Sequence, residues 1–108
     1  MSKKVYVEGH FSATFVSMLR RSKIRNFTFL AKRENEELNE EDFLVQIVTM
    51  GEGVKKIEDN KYNVYFLPEG DPQKGVNKLR TLARKFLTLL LEEEVFSHEE
   101  GRINQESK

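Results

Sequence analysis

The chain has 108 residues, of which 38% are hydrophobic, 33% charged and 10% aromatic, with two prolines and neither cysteine nor tryptophan. That is enough chain for one core, and it excludes collagen-like, low-complexity and disulfide-stapled classes. Lys+Arg and Asp+Glu number 18 each, a formal net charge of zero, so bulk charge does not drive the chain onto nucleic acid or an anionic membrane. The charge is nevertheless segregated. Residues 1–33 sum to +7, 34–50 to −6, 51–80 to +1 and 81–108 to −2, and a basic third beside an acidic stretch can present one attractive face to a polyanion. No apolar run approaches signal-peptide or membrane-span length, and the expected location is the cytoplasm.

Lys3 to Gly9 alternates, with Val5 and Val7 on one side and Lys4, Tyr6 and Glu8 on the other, the pattern of a half-buried strand. From Ser12 the period becomes helical: Phe15, Met18, Leu19 and Ser22 share a face, which predicts a short helix over 12–22 with Ser12 as its N-cap. Ile24 to Arg33 alternates again, placing Phe27, Phe29 and Ala31 together. The acidic run 34–42 is too poor in apolar residues to pack and reads as a solvated connector. Phe43 to Met50 is a third strand, ended by Gly51-Glu52-Gly53, with a short edge segment at Val54–Ile57 and a further strand at Lys61–Leu67. Asp71-Pro72 is the pair that opens a helix. In that helix Val76, Leu79, Ala83, Phe86 and Leu90 form one face, while Leu82, Leu87, Leu89, Leu91 and Val95 widen the apolar arc beyond it.

These elements predict one α+β domain over residues 1–96, followed by a disordered polar tail at 97–108. The sheet is expected to be mostly antiparallel, of about four strands, with a short helix after the first strand and a long C-terminal helix packed on one face. The wide apolar arc predicts a homodimer contact through Phe86, Leu89, Leu90, Leu91 and Val95.

The residues carry little sign of catalysis. His10 and His98 are isolated, no cysteine is present, and the acids of 34–42 match no calcium-loop spacing. No enzyme activity, metal or cofactor is expected. One constellation points to binding: Arg20, Arg21, Lys23, Arg25, Lys32 and Arg33 bracket Phe27 and Phe29. Single-stranded nucleic acid is held by a basic groove with aromatic platforms, since each nucleotide offers a phosphate and a stackable base. The two phenylalanines share a face with Ala31, which suits a hydrophobic core equally well.

The stretch Arg25-Asn26-Phe27-Thr28-Phe29 with Lys32-Arg33-Glu34-Asn35, followed by the apolar strand Phe43-Leu44-Val45-Gln46-Ile47-Val48, resembles the PUR-repeat family. That family is similar in architecture to the Whirly proteins. The resemblance implies an antiparallel sheet followed by a long helix, binding of single-stranded DNA or RNA, and a second copy to complete the fold. The expected function is thus non-enzymatic binding of single-stranded nucleic acid by a homodimer through a basic and aromatic sheet face. The alternative is a small protein-binding module or inhibitor that uses the apolar C-terminal helix or a sheet edge.

Overall fold

The computed structural model describes residues 3–68 and 70–106, with side chains up to residue 93. Its elements in chain order are β1 (Lys3–Glu8), α1 (Ser12–Arg20), β2 (Phe27–Ala31), β3 (Phe43–Val48), β4 (Glu52–Glu58), β5 (Lys61–Phe66) and α2 (Pro72–Glu106). They form one five-stranded sheet in the order β2-β1-β3-β5-β4. β1, β2, β3 and β5 are mutually parallel, and only β4 runs antiparallel, against β5.

The α+β class is as expected, but the sheet is mixed and has five strands where about four, mostly antiparallel, were anticipated. The cause lies in the connections. A helix between two neighbouring strands returns the chain to its starting end, so β1-α1-β2 pairs in parallel. The 32–42 connector is also long enough to carry the chain back before β3. Two connections between strands are short, 49–51 between β3 and β4 and Asp59-Asn60 between β4 and β5, but only the second joins neighbouring strands, and with Asn60 at φ 64° it turns β4 into β5 as a hairpin. β4 itself is largely exposed, which is why its alternation is weak in the sequence and only Val54–Ile57 stands out.

Both helices lie on the same face of the sheet and touch each other, α1 over β1 and β2, α2 over β4 and β5. The core between them holds Val5, Val7, Phe27, Phe29, Phe43, Val45, Ile47, Tyr62, Val64 and Phe66 from the strands. The helices add Phe15, Val16 and Leu19 from α1 and Leu79, Leu82, Ala83, Phe86 and Leu90 from α2. Aromatic rings run through it in sequence. Phe27 meets Phe43 at 5.9 Å, Phe43 meets Tyr62 at 6.3 Å, Tyr62 meets Phe86 at 5.3 Å, and Phe86 meets Phe15 at 6.2 Å. Burial of each such side chain stabilises the fold by roughly 1.5–3 kcal/mol, so this seam is the main tie between sheet and helices.

Gly9 allows the turn from β1 into α1. Its φ is +107°, and a Cβ there would stand 2.7 Å from the Ile47 backbone carbonyl oxygen, so no other residue fits without moving β3. The N-cap of α1 is Phe11 in the left-handed region, with no side-chain cap; Ser12, the expected cap, is already the first helical residue. At α2 the expectation holds, since the Gln73 N–H donates to Asp71 Oδ1 at 3.0 Å.

The face away from the helices is not bare. Tyr6 alternates with the core residues Val5 and Val7 and therefore points to that face, yet it is only 5% exposed and stands outside the core. A right-handed return from β2 to β3 carries the 32–42 connector over this face, and Tyr6 is the residue such a cover buries. The connector is pinned at its far end, where the Asn60 side-chain amide donates to the Glu40 carbonyl at 3.1 Å.

α2 continues to Glu106, through much of the segment read as a polar tail beyond Phe96. Residues 107–108 and the side chains from 94 onward lie outside the described residues. At about 1.5 Å per residue the helix is roughly 52 Å long, whereas six-residue strands span about 20 Å. It therefore outruns the sheet, and the molecule measures 57 × 28 × 25 Å. Among the described residues, no helix is long and apolar enough to cross a membrane.

Candidate functional site

The eight residues expected to form one basic and aromatic surface do not come together. Phe27 and Phe29 are 5% and 3% exposed, enclosed in the core, and offer no ring face to a base. They are core residues, as the shared face with Ala31 allowed. Lys23 and Arg25 precede β2 while Lys32 and Arg33 follow it, so the two pairs stand at opposite ends of the strand, about 20 Å apart at ~3.3 Å per residue. Lys32 is engaged with Glu8 at 3.5 Å. Arg20 is engaged too: its Nε donates to the Phe29 carbonyl at 3.0 Å, filling an acceptor on the outer edge of β2.

The five residues expected at a dimer contact also separate. Phe86 and Leu90 are fully buried in their own chain's core and are unavailable to a partner. Leu89 is half-buried against that core, Leu91 is 40% exposed, and Val95 lies outside the described side chains. The apolar arc is wide because α2 packs on the sheet with one flank and on α1 with the next.

What the fold does assemble is an arginine seam between the two helices. Two adjoining hollows of about 250 and 390 Å³ run between α1 and α2. Arg21 from the end of α1 and Arg80 from α2 line both, and Arg84 lines one. The remaining walls are small or apolar, among them Ser17, Met18 and Leu87, with no carboxylate and no imidazole. Among the described residues, every ion pair involves a lysine, so the three guanidinium groups have no acidic partner. Arg80 makes one long contact to Asn77 Oδ1, at 3.5 Å.

The local sequence explains this placement. α1 turns its apolar stripe, Phe15, Val16 and Leu19, into the core, which leaves Arg21 just past the last turn, where the helix dipole favours a cation. Arg80 and Arg84 are one helical turn apart beside the core residues Leu79 and Ala83. Like charges in water repel by about 1 kcal/mol or less per pair at such separations, so the fold tolerates the cluster. An anion reverses the sign of the interaction, and a guanidinium fork matches the oxygens of a phosphate.

Arg80 and Arg84 are absent from the sequence-derived set. The signal was present: residues 72–91 contain five bases, Lys74, Lys78, Arg80, Arg84 and Lys85, and no acid. Dividing the chain between 80 and 81 splits this block and averages it against the glutamates that follow.

Other places offer less. The carboxyl edge of the parallel strands, the usual ligand crevice of such sheets, exposes Phe11, Met50 and Leu67, and its charged side chains Glu8 and Lys32 are paired with each other. Both sheet edges are blunted, β2 by Arg20 and β4 by Lys55, Lys56 and Glu58 with an irregularity between Lys56 and Glu58. Among the described residues, no three His, Asp or Glu side chains stand close enough to hold a metal ion.

No protein-family model, curated protein or solved structure matches the chain.

Proposed function

We propose that the chain is a nucleic-acid-binding protein that grips the sugar-phosphate backbone in the seam between α1 and α2. The observation that carries this reading is the convergence of Arg21, Arg80 and Arg84 on hollows without an acidic residue. Lys23 and Arg25, beyond the end of α1, and Lys74, in the first turn of α2, add positive charge around the seam. A polyphosphate chain is the ligand such a band suits, because several cations spaced along it each release a condensed counterion. The acidic connector, carried over the opposite face, leaves this field uncancelled.

The reading departs from a sheet-face platform. With Phe27 and Phe29 in the core, affinity comes from phosphates and not from stacked bases, so binding is tolerant of sequence and discriminates little between single and double strands. Titration of labelled single-stranded and duplex oligonucleotides at two salt concentrations tests it. Salt-sensitive binding of both is expected. Absence of binding tighter than roughly 10⁻⁴ M at the lower salt, the weak end of non-specific affinity, would overturn it.

A further inference from the structure

α2 extends past the sheet beyond Glu93, which still pairs with Lys56 of β4, and its charge reverses along its length. Residues 72–91 carry five bases and no acid, and residues 92–100 carry Glu92, Glu93, Glu94, Glu99 and Glu100 and no base. Two such helices side by side in the same direction would set like blocks against each other. In opposite directions they set each basic block against an acidic one. We infer that the chain forms a homodimer in which the two α2 helices pair antiparallel about a two-fold axis near Thr88.

The place of contact follows from the surface of α2. An open hollow of about 470 Å³ lies between α2 and β4, lined by Val54, Thr81, Arg84, Lys85, Thr88, Leu89 and Glu92. Along it Thr81, Lys85, Thr88 and Glu92 recur at alternating spacings of four and three, the seam of a left-handed helix pair. Val54 and Leu89, both half-buried, give it an apolar floor. The threonine side chains are small, and each donates its hydroxyl to the carbonyl four residues earlier, Thr81 at 3.1 Å and Thr88 at 3.0 Å, so a second helix can approach without stranding a donor. An axis at Thr88 sets Arg84 level with Glu92 of the second copy, twice per dimer, and lays residues 92–100 alongside 76–84. The extended end of each helix then rests on the other molecule. Arg84 lines both this hollow and one of those beside α1 and is shared, whereas Arg21 and Arg80 line only the α1 side and Thr88 and Glu92 only this one, so changes at Thr88 and Glu92 read the dimer and changes at Arg21 and Arg80 read the nucleic-acid seam.

The seam is polar, so the dimer is weak and weakens further with salt, with dissociation in the range of ~10 µM at low ionic strength. Sedimentation of the full chain is expected to show a dimer that dissociates as salt is raised. Arg84→Glu and Glu92→Arg should each weaken it about tenfold, and the double exchange should restore it. The native chain has no cysteine, so Thr88→Cys supplies a single thiol at the axis; it should crosslink to itself on oxidation, while Glu37→Cys on the connector should not. A monomer at about 10⁻⁴ M and low salt, a dimer indifferent to both single charge reversals, or equal crosslinking at the two cysteines would overturn the proposal.

Discussion

Gly9 shows how far one backbone atom can govern this fold. Its positive φ and the 2.7 Å clash awaiting any Cβ at the Ile47 carbonyl mean that Gly9→Ala must strain the turn and push β1 from β3. A loss of about 2–3 kcal/mol is expected, read as a lower urea midpoint. Tyr62 is the converse case. It is 1% exposed, and its hydroxyl is buried without a hydrogen-bond partner. Tyr62→Phe removes that orphaned group while keeping the ring contacts, and should leave stability unchanged or raise it by up to ~1 kcal/mol. Burial also pushes the Tyr62 phenol above its ordinary value of 10.0, and the hydrogen bond that Lys56 donates to the Glu93 carboxylate holds Lys56 above its ordinary 10.5. Both protonated forms are favoured by the folded state. Stability is therefore complete below about pH 10 and falls as pH climbs through the raised values, less steeply in Tyr62→Phe than in the native chain.

At the scale of elements, the position of α2 decides what its leucines and phenylalanines do. Phe86 contacts Phe15 of α1 and Tyr62 of β5, so Phe86→Ala opens a cavity inside one chain and should cost ~3–5 kcal/mol of stability. A thermal or urea melt that is little changed would return Phe86 to the surface. The sequence patterns made most elements legible: period two marked β1, β2, β3 and β5, period 3.6 marked both helices, and Asp71-Pro72 marked where α2 begins. What they left open was pairing. Alternation says which side chains share a face but not which strand lies next to which, and here direction is set by α1 and by an eleven-residue connector with no apolar pattern to announce its path. The candidate site was half legible for a similar reason. Arg21 stood out in a basic run, whereas Arg80 and Arg84 meet it only because α1 and α2 pack together, a contact between residues some sixty positions apart. Conversely, Phe27 and Phe29 could be read as core or platform until the helices were seen to cover their face.

The whole molecule is electrically neutral and electrically divided. The helix layer carries an uncompensated arginine seam, the acidic connector crosses the other face, and α2 repeats the division along its own length. A neutral chain can bind a polyanion only if that separation is real in space, and the phosphate-binding claim rests on it. The most direct measurement is the slope of log affinity against log salt for a single-stranded oligonucleotide, compared between the native chain and Arg21→Ala/Arg80→Ala. Each phosphate contact contributes about 0.7 to the slope on single strands, so the double variant should bind more weakly with a slope shallower by roughly 1–1.5, while Arg33→Ala, at the far end of β2, leaves both unchanged. An unaltered slope in the double variant, or an equal loss in Arg33→Ala, would contradict the seam as the binding site.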